Sequence, residues 1–127
     1  MAVQLLLTAL FLGADESPQP KLDSTELNIP FERYTTTDSL GRTITFYLSR
    51  ARGRNSDAKL PVTLIVQGSG CQSLFQKRGE MIFGSQQNLL LNAAKGRVRV
   101  LAVEKPGVKF LDTAQRPGGA EGASEEF

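Results

Sequence analysis

"PVTLIVQGSGCQS", Pro61 to Ser73, joins a short apolar run to a glycine turn. Val62 to Val66 is β-branched and nearly continuous in its hydrophobicity, which predicts a central strand covered on both faces of a parallel sheet. The chain then breaks into Gly68, Ser69 and Gly70. Residues with little or no side chain expose backbone N–H groups, and such donors suit a negative group. The glycines also have a plainer use, supplying positive φ where the chain leaves the sheet.

On the N-terminal side of that run, "LNIPFERYTTTDSLGRTITFYLSRA" predicts an antiparallel pair. Phe31 to Thr37 is rich in aromatic and β-branched residues, "DSLGR" supplies a turn, and Thr43 to Ser49 alternates. In the second run Ile44, Phe46 and Leu48 share one face, and Thr43, Thr45 and Tyr47 the other, as in a half-buried strand. Beyond the glycine turn, "SLFQKRGEMIFGSQQNLLLNAAKG" contains the best helix pattern. Ser85 suits its N-cap, Leu89, Leu90, Ala93 and Ala94 its apolar face, and Gly96 the C′ position, with Lys77 and Arg78 on a solvated helical face. A second buried strand follows from about Val98 to Glu104. The fold class is therefore α/β: an N-terminal antiparallel hairpin followed by a βαβ unit of a doubly wound sheet.

The 127 residues suffice for one domain of about 100 to 150 residues, and 40% hydrophobic with 22% charged residues argues against wholesale disorder. A net charge of +2, with no clustered basic face, makes nucleic acid a poor partner. Residues 1–14 read as a secretory signal, apolar from Ala2 and ending at the small residue Ala14, which places the protein outside the cytoplasm, secreted or periplasmic. The other reading of that stretch is a buried first helix or strand. It is shorter than the about 20 apolar residues of a membrane span. Residues 15–26, rich in Pro, Ser and acid, read as a linker, and residues 27–127 as the domain, with a polar, Gly-rich tail from Asp112.

One cysteine, Cys71, rules out an internal disulfide. Beside the turn it reads either as a small structural residue or as a nucleophile of lowered pKa, and the second use needs a base. Histidine is absent, which removes the commonest general base and the commonest metal ligand together. No metal or cofactor is expected.

Phosphate loops are a poor fit to "VQGSGCQS". A Walker loop needs a lysine that does not follow Gly68 or Gly70. A dinucleotide fingerprint needs a third glycine where Ser73 stands, and the acidic residue at the end of the next strand, Glu104, lies farther along than the ribose-binding position. An oxyanion turn fits: in acyl transfer, preorganised N–H groups stabilise the negative oxygen of the tetrahedral transition state.

Hairpin, buried strand, "QGSG", helix, buried strand and "VEKPGV" (Val103 to Val108) together resemble the N-terminal part of the α/β-hydrolase family, over about Leu27 to Val108. In that family the third strand runs into an oxyanion turn and the fourth ends in an acid followed by Pro-Gly. The resemblance implies an incomplete α/β-hydrolase-like domain. It implies that the Ser69 and Gly70 amides form one side of an oxyanion hole, that Gln67 and Gly68 support the turn, with Gln67 where the family more often has His, and that Glu104 orients the loop without breaking bonds. The family nucleophile sits on G-x-S-x-G, followed by an acid and a histidine, and none of these occurs here. Ser69, Ser73 and Ser124 lie outside that pattern.

The expected function is thus the N-terminal portion of a serine hydrolase acting on the acyl group of a small ester, thioester or amide, inactive as the isolated chain. Two alternatives stand beside it: a non-catalytic secreted binding module and a dinucleotide-binding domain. A sheet cut after four strands leaves an exposed edge, through which the isolated chain should self-associate.

Overall fold

The structure, a computed structural model, describes residues 18–24, 27–51, 59–67 and 72–113. It is a mixed α/β arrangement, mostly sheet. Strands β1 (Lys21–Asp23), β2 (Phe31–Thr37), β3 (Thr43–Ser49), β4 (Val62–Val66) and β7 (Arg99–Val103) form one sheet in the order β1-β2-β3-β7-β4. Strands β5 (Phe75–Arg78) and β6 (Met81–Gly84) form a separate hairpin, followed by helix α1 (Gln86–Ala94).

The expected antiparallel hairpin is present, with β2 paired to β3 from Phe31–Ser49 to Thr37–Thr43. Asp38 makes its turn: Oδ1 accepts from the N–H groups of Leu40 and Arg42, both at 2.9 Å, and Gly41 takes the positive φ of 77°. These bonds, with the Arg42 guanidinium, hold the Asp38 carboxyl below its ordinary range. β4 and β7 run parallel with α1 between them in the chain, the expected strand-helix-strand unit. The segment read as a linker contributes β1, which pairs with β2 and ties Asp23 to Arg33.

Four expectations change. Among the described residues β4 stands at the edge of the sheet and not at its centre; Thr63 and Ile65 turn inward, while Val62, Leu64 and Val66 stand 55%, 54% and 76% exposed. In β3 the covered face is Thr45, Tyr47 and Ser49, and the apolar trio Ile44, Phe46 and Leu48 is only half-buried. Polar partners make that possible: the Ser49 hydroxyl accepts from Val100 N–H (2.9 Å), and Tyr47 donates to Glu104. Lys77 and Arg78 lie on β5 and not on a helix, because the glycine at Gly79 (φ 60°) closes a tight hairpin between β5 and β6. In α1 the buried positions are Gln87 and Leu91, an i, i+4 pair, while Leu89 is 72% exposed and Ala93 also faces out. Ser85 is the N-cap residue without a side-chain cap bond, and the helix ends in left-handed Lys95 followed by Gly96 at φ 76°.

The core lies on one side of the sheet. Phe31, Tyr47 and Val100 meet Phe75 from β5 and Leu91 from α1. Phe75 makes edge contacts with both Phe31 (5.5 Å between centroids) and Tyr47 (4.7 Å), an arrangement that adds quadrupolar attraction to burial. The opposite side carries two cross-strand rows, Leu22, Tyr34, Phe46, Val103 and Val66 in one and Leu48, Leu101 and Leu64 in the other. Among the described residues, no helix covers it.

Candidate functional site

Parallel pairing sets the site. Val66 of β4 is in register with Val103 of β7, so Gln67 and Glu104, each one residue further, emerge side by side at the carboxyl ends of the parallel strands, on the α1 face. In open α/β sheets that end is where ligands sit.

Glu104 is 2% exposed. Its Oε1 accepts from the Ser73 hydroxyl (2.7 Å), from Leu74 N–H (2.9 Å) and from the Tyr47 hydroxyl (3.2 Å), and Oε2 accepts from Leu74 N–H (3.1 Å). Burial pushes its pKa up to about 6; the three donors oppose that rise, and nearby Asp112 adds to it. Burial and the same carboxylate raise the Tyr47 phenol as well. Glu104 therefore clamps the chain just beyond the glycine turn, and Pro106 and Gly107 carry the chain away, with Gly107 at φ 81°.

Ser73 is the centre of this clamp. Besides donating to Glu104, its oxygen accepts from Phe75 N–H (3.2 Å) and Leu111 N–H (3.1 Å), and its own N–H donates to the Asp112 carbonyl (2.9 Å). A hydroxyl has one proton and two lone pairs, and all are engaged. Only 4% of Ser73 is exposed, so it is a structural serine and no nucleophile.

The Gln67 amide nitrogen donates to the carbonyl of Gln72. Gly68, Ser69, Gly70 and Cys71 lie outside the described residues, as do Ser124 and residues 1–17 with the signal-like stretch. Among the expected site residues, the structure thus brings Gln67 and Glu104 together. It adds Ser73, Leu74 and Tyr47, whose part sequence reasoning missed. The available signal was "QS" directly after the turn, since a small hydroxyl residue there can reach a strand-end acid.

Among the described residues the chain resumes at Gln72 and enters β5, and α1 begins only after the β5–β6 hairpin. Among the described residues no three His, Cys, Asp or Glu side chains gather as a metal site. No helix there is long and apolar enough to cross a membrane. A cavity of about 400 Å³ adjoins the turn, between the end of β4, the β5–β6 hairpin and the first turn of α1.

Comparison of the chain with family models, with curated proteins and with solved structures gives no match.

Proposed function

We propose that this chain is the N-terminal portion of a serine hydrolase of α/β-hydrolase type, acting on an ester, thioester or amide and supplying its oxyanion turn. The observation that carries the reading is the Glu104 clamp: a buried strand-end carboxylate holding Ser73 and Leu74, the residues that follow "QGSGC". Gln67 braces the same segment from the other end. With both ends fixed, the Ser69 and Gly70 amides would be held in place before a substrate arrives, and each such donor contributes about 2.7 to 4 kcal/mol to the transition state. Attack would come from a serine outside this chain, activated by a base that this chain, without histidine, does not supply. Among the described residues the outer flank of β4 is unpaired and its apolar side is exposed, which supports a sheet that continues in other residues, or a chain that associates with itself. The apolar start of the sequence supports export.

Reading the coding DNA beyond Phe127 for G-x-S-x-G followed by an acid and a histidine tests this. The longer product should hydrolyse p-nitrophenyl acetate and take a fluorophosphonate label, and the 127-residue chain should do neither. A stop codon at that point, together with a monomeric chain that melts cooperatively, overturns the reading. That outcome would leave the second reading, a non-catalytic secreted binding module.

A further inference from the structure

The chain just beyond the glycine turn is held from several elements at once. Gln67, at the end of β4, donates to the Gln72 carbonyl, and Ser73 N–H donates to the Asp112 carbonyl at 2.9 Å. Glu104, at the end of β7, accepts from Leu74 N–H. Gln87, in the first turn of α1, donates from Nε2 to the Leu74 carbonyl at 2.6 Å. Leu74 is thus gripped on both sides, its N–H from the sheet and its carbonyl from the helix.

Glutamine is a costly residue for packing alone. Gln87 is fully buried, and among the described residues its Oε1 has no donor, a burden that a Leu or Met of similar size would not carry. Leu91, its i+4 neighbour on the buried side of α1, is the kind of residue that packing selects. What the glutamine adds is the Nε2 donor, and its orientation is fixed, because a flipped amide would set oxygen against the Leu74 carbonyl. The approach also needs Gly84. Phe75 stands opposite Gly84 in the hairpin, and a Cβ there would come within 2.8 Å of Gln87 Nε2. We infer that Gln87 is a positioning residue, through which the first turn of α1 sets where the glycine turn lies. Its value to an oxyanion hole rests on the function proposed above, whereas the coupling of helix to turn does not.

Amide exchange and carbonyl shifts, read by NMR on the full 127-residue chain, test this without any hydrolytic activity. Gln87→Met keeps the volume and removes both the donor and the orphaned oxygen. In that variant Leu74 and Phe75 N–H should exchange about two- to tenfold faster relative to the amides of β3 and β7, as the loss of one net hydrogen bond implies. A residue that only packs would change all of these together, through global stability. The Ser69 and Gly70 amide signals should shift in the same variant. Gln87→Glu supplies the rescue, because its carboxyl, once protonated, can again donate to the Leu74 carbonyl. The carbon signal of that carbonyl should therefore approach the wild-type position on acidification, with wild type followed at each pH to account for Glu104. Should Gln87→Met not fold, Gln87→Glu carries the test. The inference is overturned if Leu74 and Phe75 keep pace with β3 and β7, if the Ser69 and Gly70 signals stay in place, or if acid leaves the Leu74 carbonyl of Gln87→Glu unmoved. Failure of the longer product to turn over p-nitrophenyl acetate would count against the proposed function and leave the coupling standing.

Discussion

Replacing Glu104 by Gln should flatten the dependence of stability on pH in one defined window. The folded carboxyl holds its proton up to about pH 6, against an ordinary value of 4.5, because burial disfavours its charged form. Between those values the folded chain binds more protons than the unfolded one, so its stability falls as pH rises. The stabilisation is fully present below the unfolded value and lost above the folded one. A difference of about 1.5 in pKa at about 1.4 kcal/mol per unit gives a loss of about 2 kcal/mol across the window. At about 4 °C per kcal/mol for a domain near this size, the melting temperature should drop about 8 °C. Urea unfolding followed by circular dichroism, at closely spaced pH from below 4.5 to above 6, measures the curve, and subtracting the Glu104→Gln curve removes every other carboxylate from the comparison. Glu104→Ala supplies the control. It leaves the Ser73 hydroxyl, Leu74 N–H and Tyr47 hydroxyl without their acceptor, at about 1 to 3 kcal/mol for each donor that finds no other. If wild type and Glu104→Gln run parallel through the window, Glu104 does not titrate as a buried carboxyl and the clamp is misassigned.

Two further outcomes follow from packing. A Cβ added at Gly84 would come within 2.8 Å of Asn88 Cγ and of Gln87 Nε2, and the second is held by the Leu74 carbonyl, so Gly84→Ala should cost about 1 to 3 kcal/mol in a thermal or urea melt; an unchanged melt would mean that the first turn of α1 yields freely. Leu64→Lys with Val66→Lys places charge on the bare side of β4 and should move the chain toward monomer in size-exclusion chromatography, with circular dichroism unchanged. An unaltered elution volume would show that this side makes no self-contact.

The parts of the fold legible in the sequence were those fixed by local pattern. Alternation over Thr43 to Ser49, the Asp-Ser-Leu-Gly turn and the β-branched run at Val62 each follow from nearest-neighbour chemistry, and each element has the bounds expected along the chain. Tertiary choices were hidden. Whether Ile44, Phe46 and Leu48 or Thr45, Tyr47 and Ser49 are covered depends on a carboxylate 57 residues from Tyr47, which gives the phenol a buried partner. The continuous apolarity of Val62 to Val66 matches a strand covered twice, although the described residues cover it once. The β5–β6 hairpin was missed because "FQKRGEMIFG" carries apolar residues at spacings that suit a helix as well, and the turn at Gly79 decides between them. At the site, Glu104 and Gln67 were readable from their places at strand ends. The cavity was not, since it depends on where α1 begins relative to the hairpin.

The bond network at Ser73 has a consequence for motion. Segments beside a binding turn usually open at little cost and exchange their amide hydrogens quickly. Here the Leu74 amide is shared between two carboxylate oxygens, and the same carboxylate is fastened to a phenol inside the aromatic core. Releasing Leu74 thus requires loosening Tyr47 and Phe75, and its hydrogen should exchange only through the opening that frees β3 and β7. The stretch leaving the glycine turn would then belong to the slowest cooperative unit of the protein, a loop by shape that breathes with the core.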